Sequence, residues 1–138
     1  MEFHTGRLID HVHLRARDFA KTEKFYRAVL AVLGIPITAS GKNWLQADEL
    51  FIDAADEDTL ASHVHLAFQA KDQAMVKAFH ETALSAGGKD NGGPGERDYH
   101  PGYYAAFVID PDGNNIEAVF HGPNTRSADS VLITPQQP

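Results

Sequence analysis

The chain has 138 residues, 43% of them apolar, enough for one compact body with an ordinary hydrophobic core, and no cysteine, which excludes disulfide frameworks, thiol catalysis and thiolate zinc sites. A formal net charge of -7 disfavours general affinity for nucleic acid or anionic membrane, both of which reward a positive field, although Arg7, Arg15 and Arg17 are local exceptions. The opening MEFHTGRLID carries neither a basic stretch nor an apolar run, and no window approaches the ~18 apolar residues of a membrane span, so a soluble, cytoplasmic protein is expected.

Residues 8–15 alternate, with Leu8, Asp10, Val12 and Leu14 on one face and Ile9, His11, His13 and Arg15 on the other, the pattern of a strand with two unlike faces. Asp18 is placed to cap a helix whose apolar positions Phe19, Thr22, Phe25, Tyr26, Val29 and Leu33 recur at three and four residues until Gly34 and Pro36 stop it. Short strands are expected around 37–39, 44–46 and 50–53. The order then restarts: a strand over 62–68, a helix capped by Asp72 and running to about Ala86 with Met75, Val76, Phe79, Ala83 and Leu84 on its stripe, and a stop at Gly87-Gly88. Sliding the chain onto itself by 54 positions lays His65 over His11, Asp72 over Asp18, Phe79 over Phe25 and Gly88 over Gly34. Superposing the tetrapeptide His11-Val12-His13-Leu14 on His63-Val64-His65-Leu66 needs an offset of 52 and loses the helix cap.

A glycine-rich loop, 91–95, follows, then a hairpin of 104–109 and 116–120 about the turn Asp110-Pro111-Asp112-Gly113, whose Pro and Gly fit a type I turn. The loop lacks the Lys-Ser/Thr of a phosphate loop and reads as a flexible flap. The DPDG turn has His121, not glutamate, at the twelfth position, so it is not a calcium loop. The domain is expected to span 1–122, with module one about 7–55 and module two about 62–122. The tail, 123–138, is polar apart from Val131-Leu132-Ile133, a triplet that docks or stays loose.

Three strands thus carry an apolar face for helix packing and a second face bearing His or Glu: His11 and His13, His63 and His65, and Glu117 with Val119 and His121. If those faces curve round one cleft, His11, His65 and Glu117 can meet at a divalent cation and leave positions for substrate oxygens. A solvated strand face would more usually be filled with Thr, Lys or Glu than with His at alternate positions.

Taken together, Asp10-His11-Val12-His13-Leu14, Asp18 with Phe25-Tyr26 and Leu33-Gly34, His65-Leu66-Ala67-Phe68, and the run Asp110 to Glu117 resemble the vicinal oxygen chelate superfamily, the glyoxalase, bleomycin resistance and extradiol dioxygenase group. The resemblance covers about residues 7–122. It implies an α+β fold of two βαβββ modules forming a cupped mixed sheet around a metal-binding cavity. His11, His65 and Glu117 then stand at the ligand positions of one divalent ion, Zn, Ni, Mn or Fe. Glyoxalase I adds an acidic ligand from the last strand of the first module, where Phe51 is the equivalent here and Asp53 an imperfect substitute.

The resemblance implies a metal-dependent lyase or isomerase of glyoxalase type acting through vicinal oxygens of a small substrate. Its alternatives are a thiol transferase opening an epoxide, an extradiol-type dioxygenase and a non-enzymatic binder. Beside the ligands, His13 and His63 are the candidates for proton transfer, with Glu117 counted among the catalytic groups, because imidazole titrates near the working pH. Arg15, Trp44, Arg97, His100, Tyr103 and His121 are candidates for substrate binding, with Tyr104 beside them at the mouth. Relatives that pair two chains, some completing the cup across the interface, imply a homodimer.

Overall fold

The computed structural model describes residues 3–6 and 9–137. Arg7 and Leu8, at the start of the first expected strand and of module one, lie outside them. Two helices with matching caps organise the chain. In α1, Phe19–Val32, the Asp18 carboxylate accepts from the Lys21 amide; in α2, Gln73–Ser85, the Asp72 carboxylate accepts from that of Met75, so each supplies an acceptor that the first turn lacks. Gly34 (φ +76°) and Gly87 (φ +104°) take the left-handed conformation just past the helix ends. The caps repeat at an offset of 54, but the second helix is one residue shorter, so Gly87 rather than Gly88 is the conformational counterpart of Gly34.

Gly88 serves packing instead. A methyl group there would sit 2.4 Å from Val108 Cγ1, 2.8 Å from Phe25 Cε2 and 2.9 Å from the Ala83 carbonyl oxygen. Gly88→Ala is therefore expected to destabilise by about 1–3 kcal/mol through overpacking, seen as a lower denaturation midpoint with an unchanged m-value.

Before α1 come β1 (Phe3–Thr5) and β2 (Val12–Ala16); after it come β3 (Ala39–Gly41), β4 (Trp44–Ala47) and β5 (Leu50–Ala54). The second module supplies β6 (His65–Gln69), α2, β7 (Lys89–Asp90), β8 (Gly95–Glu96), β9 (Tyr104–Ile109) and β10 (Asn115–Phe120), and β11 (Val131–Ile133) closes the order. Module one forms a sheet in the order β2-β5-β4-β3, and module two one in the order β6-β10-β9-β7 with β8 also on β9. In each, the first strand pairs in parallel with the last and the remaining pairs are antiparallel, the mixed βαβββ arrangement that the family resemblance implied.

Three details differ from expectation. The strand expected at 37–39 lies at Ala39–Gly41, Ser62 to Val64 are irregular, and the glycine-rich flap is tied at both ends to β9 through β7 and β8. The tail triplet docks as β11, antiparallel to β1.

One core serves both modules. Leu14, Ile52 and Leu45 are buried in it with Phe25 and Val29 of α1, and Val108, Ile116 and Ala118 with Val76 and Phe79 of α2. Tyr104 belongs here too, only 8% exposed and packed in this core, so it does not line the mouth. The β9–β10 turn locks the modules together. Asp110, 4% exposed, accepts from the amides of Asp112 and Asn114, the Asn114 side-chain amide and the Tyr26 hydroxyl, while Asp112 accepts from the Arg17 amide and the Thr22 hydroxyl.

Burial, reinforced by the charges of Asp110 and Asp112, raises the Tyr26 hydroxyl well above its ordinary ionisation range. The folded state thus holds this proton more tightly than the unfolded chain, so the contribution is full below about pH 10 and is lost as pH climbs beyond it. Melting curves should lose stability more steeply above about pH 10 in the wild type than in Tyr26→Phe.

Candidate functional site

Each sheet keeps one face for its helix and turns the other outward. On β10, Ile116 and Ala118 go to the core, which leaves Glu117 and Val119 on the opposite face with His65 from β6 and Phe107 from β9. The parallel register sets His65 beside Asn115, and its ring reaches one pleat further to Glu117, with Nε2 2.7 Å from Oε1. The other carboxylate oxygen of Glu117 accepts from the Tyr103 hydroxyl, just before β9. Glu117 is 2% exposed, whereas the His65 side chain is 54% exposed. The result is a buried acid with both oxygens engaged and an imidazole at its edge open to solvent. Desolvation, then the bond to Glu117, pushes the Tyr103 phenol up to about 12, so it remains a proton donor through the neutral range.

Module one repeats the motif one pleat along. His13 lies beside Phe51 in the β2–β5 register, and its Nε2 reaches 2.8 Å to Oδ1 of Asp53, two residues further on. Arg15 Nε approaches the same oxygen at 2.9 Å, an ion pair by distance although the N–H is not aligned for a hydrogen bond, and the Arg15 terminal nitrogen donates to the Ala54 carbonyl. Arg15 is thereby committed to Asp53. His11 and His65 stand level relative to the helix caps, and Phe51 and Glu117 each pair with the residue two places beyond those histidines, so a phenyl ring fills the place of an acidic ligand. Trp44 and Phe51 lie with ring centroids 6.0 Å apart and line an open cleft of about 710 Å³ with Gln46 and Asp53.

The remaining expected residues divide. His11 precedes β2, has its side chain 65% exposed and pairs with Asp10 through Nδ1 at 2.7 Å. Among the described residues of one chain, no group of three or more His, Asp or Glu side chains is placed to hold a metal. The expected meeting of His11, His65 and Glu117 within a single chain is therefore not found; two of the three are together. β2 and β6 belong to different sheets, and the His11 ring, before β2, turns to Asp10 instead. His63 is exposed in the irregular segment before β6, and among the described residues no side chain pairs with it. Arg97 donates to the carbonyls of Gly93 and Glu96 and lies over the Phe107 ring, which ties the flap to β9. His100, Tyr103 and His121 do cluster, next to Glu117.

Sequence reasoning missed the Tyr103 to Glu117 bond and the His13–Asp53–Arg15 group as a unit. The signal for the second was present as an acid at the same alternation on a neighbouring parallel strand.

Two βαβββ modules with a histidine and a buried glutamate on an open sheet face define a protein of glyoxalase and dioxygenase type. Residues 8–118 match the family model of the Glyoxalase/Bleomycin resistance protein/Dioxygenase superfamily, and the chain belongs to that superfamily. Among solved structures, a glyoxalase/bleomycin resistance protein from Albidiferax ferrireducens is 31% identical, with 81% of this chain and 98% of that one covered at a TM-score of 0.71. A glyoxalase-related enzyme from Fulvimarina pelagi is 18% identical over 94% and 99% of the chains, with a TM-score of 0.66. Lactoylglutathione lyase from Agrobacterium tumefaciens is 20% identical over 82% and 92%, with a TM-score of 0.59; at these identities the last two share the fold. The comparison with curated proteins returned no match.

Proposed function

We propose that the protein is a divalent-metal-dependent enzyme of glyoxalase type, a lyase or isomerase acting on neighbouring oxygens of a small substrate, and that it works as a homodimer. The observation that carries this reading is the buried Glu117 carboxylate with His65 at its open edge. A buried carboxylate is costly without a cation or strong donors, and a mixed nitrogen and oxygen pair suits Zn, Ni, Mn or Fe. The metal would be held by His65 and Glu117 of one chain and His11 of the partner subunit, which explains why His11 faces solvent in its own chain. When bound, it supplies Lewis acidity for charge developing on the substrate oxygens.

The chain's own groups supply the rest. Tyr103 keeps its proton and holds one oxygen of Glu117, which fixes the carboxylate. His13 presents Nε2 to Asp53, so its Nδ1 is the free proton acceptor of module one, and Asp53 orients the ring. His63 is the second proton-transfer candidate, with an exposed ring and freedom to turn. Trp44 and Phe51 offer an apolar wall for the substrate body, and the cytoplasm is the proposed location.

Phe51 at the fourth-ligand place favours a second reading, a thiol transferase opening an epoxide. Elemental analysis of protein purified without a metal-binding tag, with assays of methylglyoxal–thiol adducts, catechols and an epoxide with glutathione, separates the two. Turnover of the adduct by metal-loaded protein supports the glyoxalase reading; epoxide opening alone supports the second. No stoichiometric metal and no turnover contradict both.

A further inference from the structure

Beside Tyr103 of module two lies a histidine pair that the metal reading does not use. Nδ1 of His100 lies 2.9 Å from the Pro101 carbonyl oxygen, an acceptor only, so that nitrogen carries a proton. Neutral His100 is thereby left with a lone pair on Nε2. That atom lies 2.8 Å from Nδ1 of His121. The ring planes differ by 17° with centroids 5.1 Å apart, which with so short a nitrogen separation means end-to-end rings sharing one in-plane proton. His121 must then be protonated on Nδ1, and its Nε2 keeps an unshared pair in an exposed ring.

The pair is built into the backbone. Gly102 (φ +91°) and Gly122 (φ +85°) follow Pro101 and His121, and a methyl group on either would lie 3.1 Å from the opposite segment's backbone. Only glycines let the two segments close this tightly. The Tyr103 ring meets both imidazoles edge-on, at 5.5 Å from His100 and 5.3 Å from His121.

We propose that His121, set in one tautomer by His100, forms a hydrogen-bond-accepting subsite for a hydroxyl or N–H group of the ligand, and that it does not select a carboxylate. A histidine cluster is ordinarily read as an anion site; here the chain of donors ends on a lone pair. Glu117 and His121 flank Tyr103, whose hydroxyl bonds the first and whose ring meets the second at 5.3 Å. The ligand is therefore one that bears neighbouring oxygens at one end and a proton-donating group at the other.

This deepens the proposed function by naming the ligand's far end, yet the subsite is tested in metal-free protein, so the two readings fail separately. In protein labelled with nitrogen-15, held above the imidazole titration range, long-range proton–nitrogen correlations should show His121 protonated on Nδ1 and not on Nε2. His100→Ala should abolish that preference, and His100→Gln, whose amide oxygen accepts the same bond, should restore it. Catechol should shift the His121 Nε2 resonance, and benzoate should not. A wild-type His121 proton on Nε2, a tautomer indifferent to His100→Ala, a stronger response to benzoate, or no response to either probe overturns the proposal.

Discussion

Glu117→Gln is expected to weaken divalent-metal binding by more than the roughly tenfold to hundredfold that loss of a supporting residue alone produces, and to abolish turnover with it. The amide keeps the shape of the carboxylate and can still bond Tyr103 and His65, but it lacks the negative charge that a cation needs. In metal-free protein the same change should cost little stability, because it removes a buried charge. Thermal melting with and without added metal therefore gives the clearer readout. Wild-type protein should gain stability with metal as mass action requires, and the variant should not. An equal metal-induced shift in both would remove Glu117 from the ligand set.

The largest effect on folding is expected at Asp110. Its carboxylate, almost fully buried, collects four hydrogen bonds that close the β9–β10 turn and join it to Tyr26 of α1. Asp110→Ala leaves these donors without their acceptor, at a cost of about 3 kcal/mol or more, and Tyr26→Phe, which removes one of the four, about 1–3 kcal/mol. Chemical denaturation should rank the variants in that order, and the double variant should cost less than the sum because the groups share one network. Strict additivity would show that Tyr26 and Asp110 act independently.

The two helices were legible because each announces itself twice, by an aspartate at the cap and by apolar residues at helical spacing. The long strands were legible for a related reason: Ile116, Ala118 and Phe120 alternate with Glu117 and Val119, and only one register buries the first set. Shorter pieces had no such signal. The two-residue strands β7 and β8 are set by pairing with β9, β7 also bonding α2 through His80 and Asp90, and β1 finds β11 across nearly the whole chain. Ile37 drew the expected strand two residues early, although Thr38 does pair with the Gln46 carbonyl at its edge.

For the site, His65 and Glu117 followed from strand faces, whereas Tyr103 reaches Glu117 only through the loop before β9. His11 could be chosen by residue type and position, but no single sequence states whether a site closes within one chain or between two.

If a metal is held by His65 and Glu117 with His11 of the partner subunit, mixing inactive variants rebuilds part of the sites. His11→Ala and Glu117→Gln chains, each without stoichiometric metal alone, should on co-refolding recover about a quarter of wild-type metal content, since random pairing makes half the dimers mixed and each mixed dimer has one intact site of two. Metal content that stays at the level of the separate variants would rule out a site shared between the two chains.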